Sequence, residues 1–119
     1  MGKKPILSAC AILFALAAAA GQAQAQSKPP VSWRPAAWDN YTPSSTSRGI
    51  WYVVIHTIEG SAAAGISWFQ NSSSDVSAHC VVSNSGAITQ MVADKDIAWH
   101  AGTWYYNQHS IGIEHEGFA

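Results

Sequence analysis

The stretch SIGIEHEGFA, residues 110–119, alternates apolar and polar side chains as a half-buried strand does. A strand is expected over residues 110–116. With a two-residue period, Glu114 and Glu116 share one face with Gly112, while Ile111, Ile113 and His115 point the other way. The glycine leaves open space beside Glu114. A carboxylate next to that space and flanked by Ile113 would be partly desolvated, its proton affinity would rise, and it could serve as a general base. The same residues also fit a strand carboxylate that simply faces water.

Working outward, WYVVIH at residues 51–56 is an unbroken run of β-branched and aromatic residues, the pattern of a strand buried on both faces. Residues 57–60 read as a loop. SAAAGISWFQ, residues 61–70, has alanines and large apolars at helical spacing, and NSSSD stops it. Residues 77–83 and 87–92 read as a hairpin around Asn84, Ser85 and Gly86, which supply the positive φ values of a tight turn. Residues 98–108 are aromatic and loop-like. This order indicates an α/β or α+β fold, a central mixed β-sheet with flanking helices. One helix cannot cover two sheet faces, so a covering element is missing from the sequence.

The amino terminus reads differently. Lys3 and Lys4 precede an apolar run over residues 6–20, and Ala23, Gln24 and Ala25 form an A-x-A pattern. This is a secretory signal peptide with an expected cut after Ala25. The run is shorter than the ~20 residues that span a bilayer. Leu7 to Cys10 resembles a lipoprotein box, but the apolar stretch lies mostly after the cysteine. The expected organisation is a signal at residues 1–25, a Pro-, Ser- and Trp-containing lead-in at 26–47, and one folded domain from 48 to 119. Localisation is expected to be extracellular or periplasmic.

Beyond Ala25 the basic side chains are Lys28, Arg34, Arg48 and Lys95, against seven acidic ones. Such a balance excludes nucleic acid and an anionic membrane surface as partners. Cys80 has no second cysteine to pair with after processing, and in HCVV it reads as a small buried hydrophobe. Six tryptophans and four tyrosines could be core, or could stack on sugar rings. Composition alone thus allows an enzyme or a lectin-like module.

Four histidines besides His56 need placing. His56 lies where its strand leaves the sheet, a position that suits either a metal ligand or a hydrogen-bonded strand end. His100, in AWHAG, could be a ligand, a substrate contact or an ordinary loop residue. His79 and His115 read as structural and His109 as solvent-exposed. Several signatures fail: H-E-x-x-H from His115 ends on Ala119, and G-x-S-x-G from Gly65 meets Phe69. Asn40 and Asn71 begin N-x-S/T matches.

Taken in order, VVIHTIEG (53–60), VSAHCVVSNSGAITQMV (76–92), DIAWHAG (96–102) and SIGIEHEG (110–117) resemble the zinc-dependent type 2 N-acetylmuramoyl-L-alanine amidases, relatives of peptidoglycan-recognition proteins and phage lysozyme-like amidases. The resemblance implies Zn2+ as cofactor and peptidoglycan or muropeptides as substrate. It assigns His56 as the first zinc ligand and Glu114 as the group that polarises the zinc-bound water. His100, with Trp99, would line the substrate groove and meet the peptide stem. Where phage-type members carry a catalytic tyrosine, this chain has Ala78. The remaining ligands are expected beyond residue 119, which implies the amino-terminal part of a longer protein, inactive by itself. Rival expectations are a non-catalytic muropeptide-binding module and an unrelated carbohydrate-binding domain.

Overall fold

The computed structural model describes residues 27–119; the expected signal peptide, its cleavage site and Cys10 lie outside them. The elements in chain order are β1 (Ser32–Trp33), β2 (Tyr41–Thr42), β3 (Tyr52–Thr57), α1 (Ala62–Phe69), β4 (Cys80–Val82), β5 (Ile88–Gln90), β6 (Ile97–Ala98), α2 (Trp104–His109) and β7 (Ser110–His115). Five strands form one sheet in the order β1-β5-β4-β7-β3. The last strand lies inside the sheet, parallel to both β3 and β4, while β4 and β5 are antiparallel. The sheet is therefore mixed, as the alternation of element types suggests. β2 and β6 pair separately.

The register decides which residues share a face. His56, Glu114 and Val81 lie side by side across three strands, and so do Val54 and Gly112. This face carries the core. Ile66 and Phe69 of α1 pack there with Ala78, Val81, Met91 and Val92, each large side chain contributing roughly 1.5–3 kcal/mol by leaving water. Helix α1 starts where it should: the Ser61 hydroxyl accepts from the Ala64 N–H at 3.1 Å, satisfying one of the unpaired amides of the first turn. The opposite face holds Val53, Ile55, Ile111, Ile113 and Cys80. Among the described residues no helix lies over it, and Val53 and Ile55 are 61% and 58% exposed.

The structure corrects the sequence reading at three places. β3 is an edge strand, not one buried on both faces; a continuous apolar run says nothing about how many neighbours the strand has. The lead-in is not wholly irregular, since β1 adds to the sheet through β5. Residues 104–109 form a helix rather than a loop. Its start has no side-chain cap, and its end is held from far away. Arg48 Nη1 donates to the carbonyls of Asn107, Gln108 and Ser110 at 3.2, 2.8 and 3.0 Å, while Nε and Nη2 reach the Asp94 carbonyl at 3.3 and 3.0 Å. One guanidinium thereby satisfies helix-end carbonyls that have no partner within the helix.

The hairpin turn falls where expected, but of its three residues only Gly86 takes a positive φ, +82°; the Glu116 carboxylate accepts from the Asn84 N–H at 2.7 Å. Asn40, the start of one N-x-T match, is fully buried and donates to the Phe69 and Asn71 carbonyls, so it is closed to modification in the folded chain.

Replacing Arg48 with Ala should destabilise the intact protein by about 3 kcal/mol, because charged hydrogen bonds are lost and buried carbonyls are left unpaired. Urea unfolding measures this, and an unchanged midpoint would contradict the role given to Arg48.

Candidate active site

The site is assembled around Gly112. A Cβ built at that position would fall on the His100 ring, so the space beside Glu114 is not open, as the sequence suggests, but filled by an imidazole. The loop that delivers His100 is tied down by Asn107, whose Oδ1 accepts from the His100 and Ala101 amides at 3.1 and 2.8 Å. His100 Nδ1 lies 2.9 Å from His56 Nε2, and its Nε2 lies 2.9 Å from Ser110 Oγ. Both ring nitrogens are thus engaged within the protein.

Behind this row, His79 is fully buried. Its Nδ1 accepts from the Gly112 N–H at 3.0 Å, which places the ring proton on Nε2, facing the Asp96 carbonyl at 3.1 Å. Arg48 Nη2 also approaches Nε2, at 2.7 Å; since that nitrogen already carries the proton, this contact is a close approach of two donors and not a second bond. Burial, first of all, drops the His79 pKa to about 4. Burial likewise lowers His100 to about 4, with smaller contributions from His56, His79 and Arg48. Both rings are neutral near pH 7. Glu114 moves the opposite way: burial raises its pKa, only partly opposed by His56 and His115. These are the directions that desolvation gives a base and an acid.

Glu114, His100 and Trp99 share the wall of a cleft of about 480 Å³, with Thr57, Gly65 and Trp68 opposite or beside them. A second opening of about 600 Å³ also has Trp99 and His100 in its wall, with Trp104 and Asn107. The four side chains singled out in the sequence therefore converge. Glu114 is in cross-strand register with His56, His56 touches His100, and Trp99 is held by its indole N–H donating to Thr42 Oγ1 at 3.0 Å. His109 differs from expectation: it stacks on Trp51 at 4.2 Å and 4° and its Nδ1 is 3.0 Å from the Gly49 carbonyl. Cys80 is partly buried, and burial pushes its thiol pKa up, so it is a poor nucleophile. Sequence reasoning missed Arg48, Asn107 and Ser110. No local pattern marks them, since each acts through a tertiary contact.

Among the described residues no group of three or more His, Cys, Asp and Glu side chains comes together to hold a metal. Catalytic zinc takes three protein ligands. His56, at the end of β3, is of a residue type that can ligate zinc.

The mixed sheet thus sets a half-buried carboxylate, Glu114, in register with His56, which in turn meets His100. The family described as N-acetylmuramoyl-L-alanine amidase matches residues 46–119, and the chain belongs to it. N-acetylmuramoyl-L-alanine amidase A of Achromobacter lyticus is 49% identical over 88 residues, 73% of this chain and 48% of that protein. The 1,6-anhydro-N-acetylmuramyl-L-alanine amidase AmpD of Haemophilus influenzae is 48% identical over 48 residues, 35% of this chain and 26% of that one. Among solved structures, a mutant endolysin from Bacillus subtilis superposes with a TM-score of 0.61 at 24% identity, covering 73% of this chain and 60% of that one. A Se-Met AmpD derivative gives 0.57 at 26% identity, covering 73% and 61%. The chain spans about half or less of the length of the curated relatives it matches.

An unfolded histidine takes up its proton near pH 6.5, whereas His79 in the fold does so only near pH 4. Between these values the unfolded chain binds more protons, so stability is full above pH 6.5 and falls as pH drops toward 4, by about 3 kcal/mol for this group. Thermal unfolding between pH 7 and 4.5 should show the loss, and His79→Gln should flatten the slope. An equal slope in the variant would contradict the assignment.

Proposed function

We propose that the intact protein is an exported amidase that hydrolyses the bond between N-acetylmuramic acid and L-alanine in peptidoglycan. The observation that carries this reading is Glu114: a half-buried carboxylate with raised proton affinity, in a cleft wall, in register with His56, within a chain of this family. Zinc is the proposed cofactor, with His56 as one ligand and the others drawn from residues outside those described. Bound there, zinc would supply Lewis acidity toward water and carbonyl.

This chain's own residues account for the proton movements. Glu114 accepts a proton from the attacking water as the lactoyl carbonyl is attacked, and returns it to the leaving amine of L-alanine. Its raised pKa brings it closer to the working pH, which favours both transfers. His100 has no free ring nitrogen, so it meets the peptide stem through its ring surface, and Trp99 does so through its indole. Export would follow from the signal at residues 1–25 and places the protein at the cell wall.

The aromatic lining of the cleft by Trp68 and Trp99 also fits one second reading, a module that binds muropeptides without cutting them. Zinc content of the intact protein, together with new amino termini released from cell wall, separates the two.

Glu114→Gln keeps the shape and removes the base. It should lower stem-peptide release from peptidoglycan by ~10²–10⁴-fold, and the parent's rate should fall with acidification at a pH above the ordinary carboxylate range. Full activity in the variant would rule out Glu114 as the base.

A further inference from the structure

We infer that Ser110 and His100 are positioning residues that fix the tautomer of His56, holding its ring proton on Nε2 and leaving the lone pair on Nδ1. The argument begins at the end of α2, where the Tyr106 carbonyl has no amide partner from a further helical turn. Ser110 Oγ donates to that carbonyl at 2.6 Å. A hydroxyl has one proton and a carbonyl can only accept, so the Ser110 proton is committed. At 2.9 Å from His100 Nε2, Ser110 Oγ must then accept. The proton of neutral His100 is thereby on Nε2 and its Nδ1 is bare. That bare nitrogen, 2.9 Å from His56 Nε2, requires a donor, and His56 supplies it from Nε2–H. The remaining lone pair of His56 is on Nδ1.

Nothing in this chain of bonds is free to turn over. Gly112 gives the His100 ring its place, and Asn107 fixes the loop on which the ring is carried. Ser110 is fully buried. A metal-binding histidine commonly donates its other ring N–H to a carboxylate, a carbonyl or water, which sets its tautomer and orientation. Here a second imidazole takes that part, and a helix-end carbonyl sets the direction of the whole relay.

The value of the relay for catalysis rests on the zinc reading proposed above, but the tautomer does not. Long-range proton–nitrogen NMR of the imidazoles in the intact protein, before and after zinc is added, tests both. The expected spectrum has His56 and His100 each as a single Nε2–H tautomer, and zinc shifts His56 Nδ1 while Nε2–H stays bonded. Ser110→Ala should scramble the tautomers of both rings and weaken zinc binding by ~10–100-fold, and Ser110→Thr, which retains the hydroxyl, should restore both. A wild-type His56 protonated on Nδ1 would overturn the inference, even if Ser110→Ala does not fold. The expected tautomers with no zinc uptake would uphold the relay and instead defeat the zinc amidase reading.

Discussion

The missing side chain at Gly112 is the constraint on which the site depends. Gly112 is in the middle of an interior strand, a position where glycine costs roughly 0.5–1 kcal/mol relative to alanine. The structure uses the vacancy twice. On the core face it seats His100, and along the backbone the Gly112 N–H and carbonyl bond the ring and amide of His79, each at 3.0 Å. A strand that carried a methyl there would separate His100 from His56, and the relay from Ser110 would have no middle member.

Three histidines and an arginine crowd this region, with the Asp94 and Asp96 carboxylates near Arg48 and His79 and Glu114 near His56. Burial keeps His79 and His100 neutral, so that they act as directional hydrogen-bonding groups rather than as charges. The same burial raises Glu114. One physical cause thus gives the fixed, uncharged scaffold and the reactive carboxylate beside it. The positions are set from outside: Arg48 anchors the end of α2, Asn107 anchors the loop before it, and the helix is too short to be stable without them.

Much of this was legible in the sequence, for reasons that also mark the limit. Alternation over residues 110–116 gives β7 and puts Glu114 and Gly112 on one face, because a two-residue period is enough to assign sides. Ser61 with the apolar spacing after it gives α1, and Gly86 gives the turn. What could not be read is what lies between elements. A run such as WYVVIH does not reveal that β3 has a neighbour on one side only. The β1 pair is too short to show any period. Helix α2 exists because Arg48, 59 residues from Asn107, closes its end, and the His56–His100 contact joins residues 44 apart. Gly112 could be seen to leave space, but not that an imidazole from another loop would fill it.

The most direct test is a structure of the Gly112→Ala variant of the intact protein with its unfolding free energy. The account predicts that the His100 ring is displaced, the His56–His100 bond is lost, and stability drops by about 1–3 kcal/mol as for other overpacked sites. A variant that keeps the His100 ring in place, still bonded to His56 and Ser110 at unchanged stability, would contradict the claim that the empty position at Gly112 builds the site.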